Sequence, residues 1–184
     1  MITVKETIIA AAQLLGIADE VNDYLESVDD TGRVETKKLL QCFNLVENEL
    51  ALDYLPLQVE TELETTTGAI YYNELPKNVV RILKVKDEWD NSVPFKLFPE
   101  YLKTQSGKVR ILYSYTPDNK ELEDCSDFTL YASVRLFAYG MAMQYSLAGG
   151  LFEEANVWQQ KYKNALSKAY RSAPSKNIRS RRWV

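Results

Sequence analysis

Histidine is absent from this chain of 184 residues. That removes Ser-His and Cys-His nucleophile systems, HExxH zinc sites and every histidine acid-base relay. Cysteine is nearly absent: Cys42 and Cys125 lie far apart with no CxxC pair, so two reduced thiols are expected rather than a disulfide or a metal site. The seven glycines fit neither GxxxxGK[ST] nor GxGxxG, which excludes nucleotide binding by those loops. No apolar run reaches the 18 or so residues of a membrane span, and the start Met-Ile-Thr-Val-Lys-Glu lacks the basic region of a signal peptide, so synthesis in the cytosol is expected.

What is present is an ordinary globular composition, 46% hydrophobic and 26% charged. At this length one domain, or one with an insertion, buries roughly 70% of its unfolded surface. Charge is distributed unevenly. The last 17 residues, from Lys168, carry six basic side chains and no acid, leaving 16 basic and 26 acidic side chains before them. An acidic body with a basic tail implies a tail that docks on an acidic surface.

The period of the apolar residues places the elements. Thr3 with Glu6 makes a capping-box pair, and Val4, Ile8, Ala11, Ala12 and Leu15 continue one helical face to Gly16. Asp19 is the expected cap of a short second helix carrying Val21, Tyr24 and Leu25. A long third helix starts near Val34 or Glu35, presents Leu39, Phe43, Val46, Leu50 and Tyr54, and stops before Pro56.

Between Leu57 and Glu123 the period becomes 2. Val59, Thr61, Leu63 and Thr65 alternate with Gln58, Glu60, Glu62 and Glu64, a half-buried strand with an acidic outer face. Further strands are expected over 69–72, 79–86, 93–97 and 108–115, consecutive and joined by short turns in an antiparallel sheet whose strand order is left open, with Lys84, Lys86, Lys108 and Arg110 able to pair across strands with the glutamates of the first. A fourth helix, capped by Asp124 or Ser126, carries Leu130, Val134, Phe137, Met141, Tyr145 and Ala148. It folds back at Gly149-Gly150 onto a fifth with Leu151, Ala155, Trp158, Tyr162, Leu166 and Tyr170 inward.

The expected fold class is therefore α+β and mainly α: a bundle of four to five helices from 1–56 and 124–173, an inserted antiparallel β subdomain over 57–123, and an extended tail over 174–184. Acid pairs such as Asp29-Asp30 and Glu153-Glu154 could serve as acid-base couples or bind magnesium, but they sit where turns and helix starts favour carboxylates, and that reading is preferred. The tail has three readings: phosphate binding with Trp183 stacked on a base, plain disorder, or docking. Docking is favoured, with Ile178 and Trp183 as apolar anchors and Arg179, Arg181 and Arg182 forming forked pairs with a partner's acids.

Several of these residues resemble the head-tail connector, or adaptor, proteins of tailed phages and prophages. The resemblance is carried by Cys42-Phe-Asn-Leu-Val-Glu-Asn-Glu-Leu-Ala-Leu-Asp-Tyr-Leu-Pro56, by Tyr139-Gly140, by Gly150-Leu-Phe-Glu-Glu-Ala155 with Trp158 and Tyr162, and by the ending Arg181-Arg182-Trp183. It implies a virion structural protein of the neck, not an enzyme and without cofactor or metal. Its copies would assemble as a dodecameric ring beneath the portal protein, contact a downstream tail or stopper component, and leave a channel through which packaged DNA passes without specific binding. The alternative is a nucleic-acid-binding accessory protein using the same basic tail.

Overall fold

The computed structural model describes residues 1–130 and 132–172, with backbone alone for 171 and 172. Five helices and two three-stranded antiparallel sheets are present. They form two compact units: Met1–Phe43 with the chain from Glu121 onward, and Asn44–Lys120.

In the first unit, α1 (Val4–Leu15) is capped as its sequence requires: Thr3 Oγ1 accepts the Glu6 amide at 3.2 Å, and Gly16 closes the helix at φ +74°, a left-handed conformation costly for any residue with a Cβ. Val4, Ile8, Ala11 and Ala12 are fully buried. α2 (Ala18–Leu25) begins two residues earlier than Asp19 would allow as a cap. Ile17 holds that position without a side-chain bond, and Asp19 lies in the first turn, where its charge suits the helix dipole. α3 (Arg33–Glu49) follows Gly32, whose missing side chain lets the Glu20 carbonyl approach: a Cβ there would sit 1.9 Å from that oxygen. The unit boundary falls inside α3, after Phe43.

The fourth helix differs from expectation. The segment around Cys125 is extended and pairs with the N-terminus, with the Val4 amide donating to the Asp124 carbonyl at 3.0 Å and the Ser126 amide to the Ile2 carbonyl at 2.9 Å. Ser126 Oγ accepts the Phe128 amide instead of capping a helix. α4 (Val134–Ala148) therefore starts eight residues after Ser126, capped by Ser133, and Leu130 is exposed. α4 is buried on most sides through Leu136, Phe137, Ala138, Met141, Ala142 and Met143, because α1 packs on one flank and α5 (Phe152–Ser172) on another. The Phe43 and Phe137 rings stack at 5.0 Å, and Tyr145 donates its hydroxyl proton to Glu35, which ties α4 to the start of α3.

The second unit begins with the last turns of α3, which widen into a π-type turn over Leu50–Tyr54 before Pro56. Its larger sheet has the order β1-β6-β3, from Leu57–Thr65, Gly107–Thr116 and Asn78–Asp87. A smaller one has the order β2-β5-β4, from Ala69–Tyr71, Tyr101–Lys103 and Lys96–Leu97. The antiparallel pairing is as expected, but the single sheet is corrected to two, in which strands pair out of sequence order. β6 takes the central place because it brings the most apolar face, with Val109, Ile111 and Tyr113 buried. These pack with Ile70, Ile82, Val85 and Leu102 in the unit's core. The glutamates of β1 point outward as read, but only part of the expected pairing forms: Arg110 lies 3.8 Å from Glu60 and 3.0 Å from Asp90. Lys86, on the far side of β6, turns to Asp90 at 2.8 Å. Asn44 closes the neck of the unit: its side-chain amide donates to the Lys120 carbonyl at 3.2 Å, and its Oδ1 accepts the Lys120 amide at 2.7 Å.

Candidate docking surface

The tail residues singled out from sequence, Ile178, Arg179, Arg181, Arg182 and Trp183, lie outside the described residues. The surface that leads toward them is the α4–α5 hairpin. Between Phe128 and Ser172 its only acids are Glu153 and Glu154, both in the first turn of α5. Every later charge on α5 is positive: Lys161, Lys163, Lys168 and Arg171.

Two rings organise this surface. Tyr139 of α4 and Trp158 of α5 lie 6.1 Å apart at 24° between planes. Lys161 Nζ stands 4.3 Å from the centre of the Trp158 ring and 5.9 Å from that of Tyr139, and the Arg135 guanidinium lies 5.9 Å from Tyr139. Helical spacing produces this directly, since Arg135 and Tyr139 are one turn apart on α4, and Trp158 and Lys161 one turn apart on α5. The ring quadrupoles hold both cations in place without neutralising them. Beside them runs a groove of about 440 Å³ lined by Ser133, Arg135, Tyr139, Lys161, Asn164 and Lys168, with no acid in its wall. Such a surface is built to receive carboxylates or phosphates.

Sequence reasoning placed Trp158 on the stripe of the fifth helix and singled out Tyr139 through the resemblance, and it missed the cations seated on both rings. The signal was an Arg-Tyr pair at i, i+4 and a Trp-Lys pair at i, i+3, and it becomes specific only once the two helices are seen to bring the pairs together. Leu151 and Tyr170, expected inward, are exposed, and Ala169 is buried in place of Tyr170.

Among the described residues there is no group of three or more potential metal ligands, and no helix is long and apolar enough to cross a membrane. Both cysteines are free, and burial pushes the Cys42 thiol up to about 11, so at neutral pH it stays protonated and unreactive. No protein-family model matches the chain, and no curated protein is significantly similar to it.

Proposed function

We propose that this chain is a head-tail connector of a tailed phage or prophage. It would act by assembly rather than catalysis: copies form a ring under the portal, complete the DNA channel, and hold head to tail through the C-terminal segment. The observation that carries the reading is the distribution of charge together with the order of elements along the chain. A helical bundle interrupted between α3 and α4 by a β unit ends in a helix whose exposed charges are all basic after its first turn, and this helix leads into the segment that closes with Arg181, Arg182 and Trp183. That order of parts matches what the resemblance implies, and the net negative charge of the remainder suits a channel along which DNA slides without sticking.

The test is deletion of residues 175–184. Pro174 is a poor continuation of a helix, so the segment is expected to contribute little to folding, and the melting temperature should be nearly unchanged. Attachment to the portal ring should fail, because central aromatic or arginine anchors are each worth on the order of 2 kcal/mol or more in a desolvated interface. Trp183→Ala should weaken attachment more than Lys176→Ala. Unchanged portal affinity of the truncated protein, or its unfolding, would count against the docking role. Sub-micromolar, salt-sensitive DNA binding that disappears with Arg179, Arg181 and Arg182 would favour the nucleic-acid reading instead.

A further inference from the structure

The helices of the first unit pack in series: α2 on α1, α1 on α4, and α4 on α5. α2 and α5 are the two ends of that series, and their charges are opposite. Residues 18–30, which comprise α2 and the turn after it, expose Asp19, Glu20, Asp23, Glu26, Asp29 and Asp30 and contain no base. Residues 155–172 of α5 contain four bases and no acid, and Arg135 of α4 adds a fifth positive charge to that side. The acidic flank is also hollow. A depression of about 600 Å³ is lined by Tyr24, Leu25, Val28, Asp29, Asp30 and Glu123, with Lys5 as its one base. Val28, exposed at its edge, and Tyr170 and Val157 on α5 are apolar side chains with no cover within the unit.

We infer that the α5 flank of one copy docks on the α2 flank of the next, with Arg135 and Lys161 meeting the carboxylates at positions 23 to 30. This rests on the connector reading and names the ring contact that the reading leaves open. Charge complementarity selects a second copy as the occupant. The body of this chain carries on its α2 flank the carboxylates to complement Arg135 and Lys161, whose own groove has no acid in its wall. It also selects the geometry. A two-fold dimer through either flank would set like charges against each other, whereas a head-to-tail contact joins unlike ones, and a heterologous contact repeated by rotation closes into a ring. Nucleic acid is the weaker occupant of the groove, because the faces of Tyr139 and Trp158 are engaged by each other and by Arg135 and Lys161, so neither of these two rings is open for a base to stack on.

Sedimentation of the full chain over a range of concentrations tests the inference, using two reversals at exposed positions, Arg135→Glu with Lys161→Glu and Asp23→Lys with Glu26→Lys. The wild type should self-associate at high concentration, and less so as salt rises and screens the flanks. Each double reversal alone should weaken self-association at least tenfold. Mixed in equal amounts, the two variants should recover wild-type assembly, since every contact in the mixture is again between unlike charges, a result that a folding defect would prevent. The milder Lys161→Gln and Glu26→Gln should each weaken assembly by a smaller factor. Variants that assemble like the wild type, or a mixture that does not recover, would overturn this interface while leaving the ring intact. A wild-type chain that stays monomeric at every concentration, even with the portal, would remove the connector reading along with it. A single-stranded oligonucleotide bound below micromolar at physiological salt, and lost in Arg135→Glu with Lys161→Glu, would reassign the basic flank to nucleic acid and overturn the inference.

Discussion

Replacing Tyr145 with phenylalanine removes one hydroxyl and leaves the ring in place, so it isolates the bond between α4 and the start of α3. In the native chain that hydroxyl donates to the Glu35 carboxylate, which also accepts from Lys38 at 2.9 Å. A hydrogen bond to a charged acceptor is worth roughly 1.5–3 kcal/mol net, and the partial exposure of Glu35, 22% of its side chain, lets water replace part of what is lost. A cost of about 1.5 kcal/mol at neutral pH follows, equivalent to roughly 3–6 °C in melting temperature for a chain of this size. The dependence on pH identifies the cause. The Tyr145 bond holds the Glu35 carboxyl below its ordinary range, opposed by partial burial and helped by Lys38. A depressed carboxylate contributes stability that is present above its unfolded pKa and is lost as pH falls through its folded one, so wild type and variant should converge on acidification. On the alkaline side, burial and then the Glu35 carboxylate push the Tyr145 hydroxyl up to about 12 from 10.0, so the wild-type advantage should persist to about pH 10 and decline above it. Urea unfolding at stepped pH, run as a cycle with Glu35→Gln, measures this. A penalty below about 0.5 kcal/mol, the scatter of ordinary surface substitutions, or one that does not change on acidification, would refute the reasoning.

Two further substitutions test the packing. Gly32→Ala should cost more than the roughly 1–3 kcal/mol of ordinary overpacking, since its Cβ meets backbone that must move, whereas Gly16→Ala meets open space and should cost only the roughly 1–2 kcal/mol of its left-handed conformation. Equal losses in thermal unfolding would contradict that distinction. Phe137→Ala should remove about 3–5 kcal/mol, because the ring is fully buried and stacked on Phe43, and a soluble variant with a near-native denaturation midpoint would show that the stack is dispensable.

Local signals were legible in the sequence where a residue's own neighbours decide its conformation. Thr3, Glu6 and Gly16 bound the first helix as read, and the alternation from Gln58 to Thr65 gave both the strand and the outward side of its glutamates. Decisions made at long range were not. Ser126 reads as a helix cap, yet its backbone pairs with Ile2, more than a hundred residues away, and the helix waits for Ser133. The central position of β6 depends on which strand has the most apolar face, a comparison across the whole unit, and β5 is too short to show a period. On α5 the inward stripe steps by three rather than four after Leu166, which buries Ala169 and exposes Tyr170. The ring-and-cation cluster was only half visible, because the facing of two helices fixes it and neither helix alone does. The tail anchors at 178–183 belong to residues beyond those described.

The clasp between Asn44 and Lys120 has a consequence for how such a chain could change over generations. The β unit leaves and re-enters the helical chain at two points held within hydrogen-bonding distance of each other. The cost of closing a loop depends on the separation of its ends and only weakly on the length between them, so the helices meet the β unit as though it were a short bridge. Lengthening, trimming or exchanging the chain between Asn44 and Lys120 would leave its two ends together as long as the clasp is kept. The β unit is in this sense a cassette, free to diversify while the bundle's own chain path stays fixed.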